Sequence, residues 1–176
     1  KHDLPIGHLT ECQICGAGNL TPVISLGHQA PCDSLLKKSQ LTEIEKTYPL
    51  NFVRCTSCGL AQIDHVVRPD ELFYPDYPYR SGITATLVKN LQSTAHRIVD
   101  RFKLKQGSLA IDIGSNDGTI LQGFKDKGMK VLGVEPTNIA KIARDNGIDT
   151  IQEFFSEKLS KRIVSEYGQA SSVTAA

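Results

Sequence analysis

Two cysteine motifs of the same form constrain the fold of this chain more than any other feature. Each has the pattern CxxCG, with Cys12 and Cys15 in the first motif and Cys55 and Cys58 in the second. Two thiolates three positions apart can bind one metal ion from a tight turn, and the glycine that follows allows the positive φ with which backbone amides point back at sulfur. The motifs therefore predict one Zn²⁺ ion bound by four cysteines. Because four sulfurs complete a tetrahedral shell, we expect a structural site with no position for a substrate.

The cysteine count agrees with a metal site rather than with disulfides. The chain has 5 cysteines, an odd number, and we expect no export signal because the N-terminal residues lack a long apolar run; both points argue against a disulfide framework. A redox-active CxxC motif is the alternative, but it explains neither the duplication nor the paired glycines. Cys32 has no partner in the pattern, and we interpret it as a buried or spare thiol.

Residues 1–70 are predicted to form a small, β-rich module that the metal holds together. The 39 residues 16–54 separate the two motifs, more than a minimal zinc ribbon has, and must carry structure of their own. Residues 71–104 are predicted to form a stiff connector rich in Tyr and Pro, followed by a long helix that Ser81 caps and that ends near Phe102. The predicted strands of the first module are 23–26, 50–54 and 60–63, and the apolar stripe of the helix is Ile83, Leu87, Leu91, Ala95, Ile98 and Phe102.

Residues 105–176 alternate between strand and helix patterns. A near-continuous apolar strand comes first, as expected where helices cover both faces of a sheet. The overall fold class is therefore α/β, with the zinc module followed by the first half of a Rossmann-like, doubly wound parallel sheet. The predicted strands are 109–114, 131–135, 150–151 and 172–176, and the predicted helices are 119–127, 136–147 and 156–167. We expect the chain to be a piece of a longer protein, because so few strands do not complete a catalytic domain of this type.

A glycine-rich turn after the first of these strands predicts a nucleotide-type ligand. Gly114 and Gly118 enclose Ser-Asn-Asp, a pattern that is neither the GxGxxG of dinucleotide folds nor the GxxxxGK[ST] of phosphate loops. Gly114 allows the backbone to approach a ligand, while Asp112 and Asp117 can hold polar or cationic groups. Glu135, at the end of the next strand, can accept hydrogen bonds from a ribose diol. These groups fit S-adenosylmethionine better than NAD; NAD and a purely structural turn remain the alternatives.

Several motifs together resemble one family, the S-adenosylmethionine-dependent C-methyltransferases with an N-terminal zinc-binding domain. The best-known members are the nucleotide-sugar (TDP-hexose) 3-C-methyltransferases of deoxysugar biosynthesis. The resemblance spans nearly the whole chain. The motifs are the two CxxCG patterns, the segments 25–31 (SLGHQAP) and 77–81 (YPYRS), the turn 111–118 (IDIGSNDG) and the segment 133–136 (GVEP).

This resemblance implies a methyl transfer to the carbon beside a ketone of a nucleotide-linked sugar. It also implies which residues contact cofactor or substrate. They are the turn residues Gly114, Asn116, Asp117 and Gly118, the ribose ligand Glu135 with its neighbour Pro136, and the residues Tyr77, Tyr79 and Ser81 beside them. The catalytic residues stay unknown; Tyr77 and Tyr79 are the candidates. None of the five histidines, at 2, 8, 28, 65 and 96, has a convincing catalytic setting. We therefore expect the general base to lie beyond Ala176 and the 176-residue piece to be inactive alone.

Charge and composition narrow the possible partners. The chain has 20 Lys+Arg against 19 Asp+Glu, a balance that argues against nucleic acid as a partner. No apolar run reaches the roughly 18 residues of a membrane span. We expect a small-molecule acceptor and a cytoplasmic location, while the oligomeric state stays unknown. The rival functions are methylation of another small molecule and a zinc-ribbon interaction module without enzymatic activity.

Overall fold

The computed structural model describes residues 5–175 and divides the chain into two compact units. The boundary between the units lies between Leu72 and Phe73. The start of the predicted zinc module, including His2, and the last residue of the predicted fourth strand, Ala176, lie outside the described residues. No helix within residues 5–175 combines the length and the apolar composition that crossing a bilayer requires.

The first unit is built from short antiparallel strands. A three-stranded sheet has the order β2-β3-β4, and β1 pairs with β5 in a second, two-stranded sheet. A 3₁₀ turn at Lys38–Gln40 lies between β2 and β3. The elements are β1 (Gly7–His8), β2 (Leu20–Gln29), β3 (Tyr48–Cys55), β4 (Ala61–Ile63), β5 (His65–Val66) and a single helical turn, α1 (Pro69–Leu72).

The structure extends two of the three predicted strands of this unit, shortens the third from 60–63 to Ala61–Ile63, and adds elements that the sequence did not predict. The strand predicted at 23–26 runs from Leu20 to Gln29, with irregular register between Ser25 and His28. Its polar end pairs with β3, and that pairing leaves no apolar signal in the sequence. Both β1 and β5 have only two residues, too few for a recognisable period.

The second unit contains a four-stranded parallel sheet with helices around it. The strand order is β8-β7-β6-β9, so β6 lies in the middle, and β7 and β9 flank it. The fold is therefore mixed α/β with a parallel sheet. The elements are α2 (Ala85–Phe102), β6 (Leu109–Ile113), α3 (Thr119–Asp126), β7 (Lys130–Val134), α4 (Ile139–Asp145), β8 (Thr150–Ile151), α5 (Glu157–Tyr167) and β9 (Ala170–Thr174).

Alternate side chains of β6 enter two different cores. Ala110 belongs to a cluster that contains Phe124 of α3, whereas Leu109 and Ile111 belong to a cluster that contains Leu159 of α5. Successive side chains of a strand point to opposite faces of the sheet, so helices on both faces bury the whole strand. This rigid centre holds the strand ends from which the candidate ligand site is built.

The start of the long helix corrects one prediction. Ser81 does not cap α2; it opens a 3₁₀ turn, Ser81–Ile83, and α2 begins at Ala85. The reason is that side chains of Asn116 and Asp117 accept hydrogen bonds from the N–H groups of Ser81 and Gly82, which holds this turn apart from the helix. The predicted apolar stripe is also too long, because Ile83 and Phe102, at its two ends, are exposed.

Candidate functional site

The four cysteines of the two motifs lie together in the first unit. Their sulfur atoms all lie within 4.8 Å of one another. Cys12 Sγ is 3.6 Å from Cys58 Sγ, and Cys15 Sγ is 3.7 Å from Cys55 Sγ. Four sulfurs at about 2.3 Å from a tetrahedral zinc ion would lie about 3.8 Å apart. The four-thiol donor set and its spacing therefore fit Zn²⁺.

Both motifs have the same backbone turn. Gly16 N–H donates to Cys12 O over 2.9 Å, and Gly59 N–H donates to Cys55 O over 2.9 Å. The two glycines have φ of 70° and 83°, the positive values that the sequence analysis predicts. The duplicated sequence pattern thus corresponds to a duplicated local structure.

The turns favour the ionised form of the first cysteine in each motif. The N–H of Cys58 is the largest influence on Cys55 and lowers its pKa to about 6, and the N–H of Cys15 likewise lowers the pKa of Cys12. At Cys15 the N–H of Ala17 lowers the pKa, but the Cys58 thiol, burial and the other thiols outweigh it and raise the pKa to about 12. Four thiols this close together oppose one another's ionisation, and a divalent cation bound by them would favour the ionised form of all four.

A buried glutamine of β4 braces the first motif. Gln62 is 7% exposed; its Oε1 accepts a hydrogen bond from Gln13 N–H over 3.0 Å, and its Nε2 donates to Glu11 O over 3.4 Å. Because Gln13 lies between two of the cysteines, Gln62 ties the first motif to the strand that follows the second. Gln62 was not predicted as part of the site, and its place in the short strand that follows the second motif was the available signal.

Cys32 stands apart from the metal cluster. Its side chain is exposed, and its thiol donates to Asp33 Oδ2 over 3.5 Å. Partial desolvation and the neighbouring Asp33 carboxylate raise the pKa of the thiol. Of the two interpretations of Cys32, the buried thiol is wrong and the spare thiol fits.

The second unit has a cavity of about 420 Å³ at the carboxyl ends of β6 and β7. Ligands of open parallel sheets bind outside this edge, and the volume lies in the range of small-molecule sites, about 300–1,000 Å³. Aromatic rings form much of its wall. The lining residues are Phe73, Tyr77, Tyr79, Ser81, Ile113, Gly114, Asn116, Val134, Glu135, Pro136, Phe154 and Phe155.

Most of the predicted ligand residues reach this cavity, and three do not. Asp112 lines a smaller neighbouring cavity of about 250 Å³, which shares Tyr79, Ser81 and Gly114 with the first. Asp117 and Gly118 line neither of the two.

The glycines of the turn have different surroundings. Gly114 has φ of 72°, and an added Cβ there would meet no atom within 4 Å. The space above Gly114 is therefore open to a ligand. An added Cβ at Gly118 would lie 2.9 Å from Ile148 Cγ1, so Gly118 serves the packing of the turn.

Glu135 is a buried carboxylate at the cavity wall. Its Oε2 accepts from Asn116 N–H over 3.0 Å, and its Oε1 accepts from the N–H and the hydroxyl of Thr137 over 2.9 and 2.7 Å. A carboxylate has about four acceptor positions, so about one remains for a ligand.

Asp112 and Asp117 are engaged differently. Asp117 accepts three hydrogen bonds, from Gly82 N–H and from the N–H and hydroxyl of Thr119, and so fastens the turn to its neighbours. Asp112 is 2% exposed and accepts a 2.6 Å hydrogen bond from the Thr174 hydroxyl. Burial raises its pKa to about 6, because the Thr174 bond opposes the shift only in part and the Glu135 charge adds to it.

Sequence reasoning missed part of the cavity wall. Phe154 and Phe155 follow β8, whose carboxyl end lies at the same edge of the sheet as those of β6 and β7. That shared edge was the available signal. Asn138, which follows β7 and binds the segment before α2, was missed as well.

Comparison with known proteins shows two similarities. Residues 12–73 match the family described as "Putative zinc binding domain". The chain is 31% identical over 163 residues to the C-methyltransferase NovU of Streptomyces niveus, a match that covers 92% of this chain. The chain is therefore similar over most of its length to a C-methyltransferase, and its N-terminal part matches a zinc-binding domain. It spans 39% of the length of this curated C-methyltransferase relative.

The family match and the structure support zinc binding independently. All four cysteines of the cluster fall inside the segment 12–73 that matches the family described as a putative zinc-binding domain. The cluster geometry does not depend on that match, because it follows from the sulfur positions alone.

Proposed function

We propose that this chain provides the zinc site and the S-adenosylmethionine site of a methyltransferase that acts on a carbon beside the ketone of a nucleotide-linked deoxysugar. The observation that carries the proposal is the aromatic-walled cavity at the carboxyl ends of β6 and β7, in a chain related to a C-methyltransferase. The four-cysteine site has the structural role, because its sulfurs leave no open position on a zinc ion.

The strand order supports a Rossmann-like sheet. The chain passes from β6 to β7 and β8 on one side and then returns to β9 on the other side of β6. This is the order of the first four strands of a doubly wound sheet, in which ligands bind at the edge where the strand order reverses. Asp112 lies near the end of β6 at that reversal, hydrogen-bonded to Thr174 of β9.

The residues at the cavity fit an adenosyl ligand with an amino-acid tail. Glu135 has an acceptor position left for a ribose hydroxyl, the space above Gly114 is open, and Tyr and Phe rings offer flat apolar surfaces to a base. Asp112, in the smaller cavity, carries negative charge above its pKa of about 6 and can pair with an ammonium group. When bound, S-adenosylmethionine would supply an electrophilic methyl group.

The tyrosines are the candidate groups for the acceptor. A carbon beside a ketone becomes a nucleophile when a base removes its proton and the negative charge moves to the ketone oxygen. Tyr77 and Tyr79 line the cavity, and a tyrosine hydroxyl there can donate a hydrogen bond to that oxygen. Among the described residues no histidine lines this cavity, and we place the base in the part of the relatives' length that this chain does not span.

Calorimetric titration of the zinc-loaded chain with S-adenosylhomocysteine tests the proposal. We expect saturable binding that Glu135→Gln weakens by at least about tenfold, because hydrogen bonds to a charged group are worth about 1.5–3 kcal/mol. Glu157→Gln is the matched control, since Glu157 is exposed and pairs only with Lys161 at the surface. A folded, zinc-loaded chain that binds NAD but no S-adenosylhomocysteine would overturn the proposal.

A further inference from the structure

The segment 73–82, called here the aromatic segment, crosses the carboxyl edge of the sheet without joining it. It contributes Phe73, Tyr77, Tyr79 and Ser81 to the cavity wall. Pro75 and Pro78 have no N–H groups, so the segment cannot pair as a regular strand. Something other than a sheet ladder must therefore hold its backbone in place.

Asn116 holds the second half of the aromatic segment. Its Oδ1 accepts from Ser81 N–H over 2.9 Å, and its Nδ2 donates to Tyr79 O over 3.2 Å. Asn116 has φ of 50°, in the left-handed region that Asn tolerates better than most side chains. Its own N–H donates to Glu135, so one residue connects the aromatic segment, the turn after β6 and the end of β7.

Asn138 holds the first half of the aromatic segment. Its Oδ1 accepts from Tyr77 N–H over 3.0 Å, and its backbone N–H donates to Pro75 O over 3.1 Å. Asn138 stands at the N-cap of α4, where an Asn side chain ordinarily binds the first amides of the helix, but here it makes no such bond. Thr137 Oγ1 accepts from Ile139 N–H instead, which leaves the Asn138 side chain for Tyr77.

The chemistry of the partners fixes the orientation of both side-chain amides. A backbone N–H can only donate and a backbone carbonyl can only accept. Oxygen must therefore face Tyr77 N–H at Asn138. At Asn116 oxygen must face Ser81 N–H and nitrogen must face Tyr79 O. The two residues thus differ in a testable way, because Asn138 uses its oxygen on the segment whereas Asn116 uses both ends of its amide.

We propose that Asn116 and Asn138 are positioning residues that hold the aromatic segment across the ends of β6 and β7 and thereby set Tyr77 and Tyr79 in the cavity wall. Backbone groups of residues 75, 77, 79 and 81 are all bound by these two residues, so both halves of the aromatic segment are fastened to the strand ends. The consequence for ligand affinity rests on the proposed function; the positioning itself does not.

Near-ultraviolet circular dichroism tests the positioning without any ligand. The chain has no Trp, and three of its 5 Tyr lie in the aromatic segment. Tyr77 packs against Phe73 and Tyr74, with ring centroids 5.7 and 6.0 Å apart. We expect Asn138→Ala and Asn116→Gly to lose about half of the tyrosine signal, and Asn138→Asp to keep it, because an Asp oxygen still accepts from Tyr77 N–H. Asn146→Ala, at the other end of α4, is the matched control and should match the parent chain.

Titration with S-adenosylhomocysteine on the same variants tests the consequence for binding. Asn138→Ala and Asn116→Gly should lose about five- to tenfold in affinity, because each variant lacks one or two hydrogen bonds to the aromatic segment. Asn138→Asp should stay within about threefold of the affinity of the parent chain. Zinc content and far-ultraviolet spectra should be unchanged in all four variants.

Two results would overturn the inference, and a third separates it from the proposed function. If Asn138→Ala keeps the full tyrosine signal, or if Asn138→Asp loses as much as Asn138→Ala, the side-chain oxygen does not position the segment. If the parent chain binds no S-adenosylhomocysteine, the proposed function and the effect on affinity are both wrong, while the dichroism still decides the positioning.

Discussion

The two units of the molecule are stabilised in different ways. In residues 5–175 the first unit has four buried apolar residues, Leu9, Cys12, Val53 and Cys55, and two of them are metal-site cysteines, whereas the second unit has seventeen. Val23, Ile24 and Leu26 of the first unit are all more than half exposed. Small domains with so little core commonly depend on a metal. From this comparison we expect the first unit to need a metal ion to fold, while the second is held by side-chain packing on both faces of a sheet.

Removal of zinc should have the largest effect and should separate the two units. A chelator removes the free energy of zinc binding, about 10–16 kcal/mol in small zinc domains. The two buried apolar residues that are not metal-site cysteines contribute far less than this to stability. We expect amide exchange in β2, β3 and β4 to become fast while β6 and β7 stay protected. Cys55→Ser should behave like the chelated chain, and Cys32→Ser should behave like the parent chain. Equal loss of protection in both units would contradict the comparison.

Truncation of Phe124 should have the next largest effect, in the opposite unit. Phe124, a residue of α3, is fully buried in the hydrophobic core of the second unit. Phe124→Ala should therefore lower the free energy of unfolding of this unit by about 3–5 kcal/mol. Urea unfolding measures this loss, and competition with a chromophoric chelator measures zinc affinity. Zinc affinity that falls along with stability would show that the units do not differ as described.

Asp112 is a buried carboxylate that destabilises the second unit when it is ionised, so removal of its charge should stabilise that unit. The folded-state pKa of about 6 lies above the ordinary 3.8, so the folded chain binds this proton more tightly than the unfolded chain. The stability from this group is therefore present below about pH 4 and is lost as the pH rises through about 6. Asp112→Asn should be more stable than the parent chain by about 3 kcal/mol at pH 7.5 and by only about 1 kcal/mol at pH 4.5. Paired urea curves at the two pH values measure the difference, and a gain that does not depend on pH would contradict this explanation.

Loss of Gln62 should have the smallest effect and should be confined to the metal-dependent unit. Gln62→Ala removes the hydrogen bonds to Gln13 N–H and Glu11 O, worth about 1 kcal/mol each. Zinc affinity should fall by up to about thirtyfold, the equivalent of about 2 kcal/mol, while the urea midpoint of the second unit should not move. The exposed Gln29→Ala, on β2, is the matched control. If Gln62→Ala binds zinc as tightly as the parent chain, Gln62 does not stabilise the metal site.

Features that depend on neighbours in the sequence were predictable. The CxxCG turns and the apolar strand β6 follow from local patterns, and the short strand Thr150–Ile151 follows from its place between two predicted helices. The helix predicted over 156–167 is another such feature, since α5 runs from Glu157 to Tyr167 and Ser156 is its N-cap, where it accepts from Leu159 N–H. Each of these structures is decided within a few residues.

Features that depend on distant partners were not predictable in the same way. The pairing of His8 with His65, the bonds of Gln62 to the first motif and the bond of Asn138 to Tyr77 join residues 49 to 61 positions apart. The prediction that Ser81 caps a helix failed for the same reason, since its N–H binds Asn116, 35 positions away. The assignment of Asp112, Asn116 and Glu135 to a cofactor stays a prediction.

Hydrogen exchange of the zinc-loaded chain with and without S-adenosylhomocysteine tests the central claim most directly. The account predicts slower amide exchange at saturating ligand in three segments, namely 73–82, 113–118 and 134–138, which together form most of the cavity wall. Exchange that is unchanged in all three segments, or protection that arises only elsewhere, would contradict the claim that this cavity binds the methyl-donor cofactor.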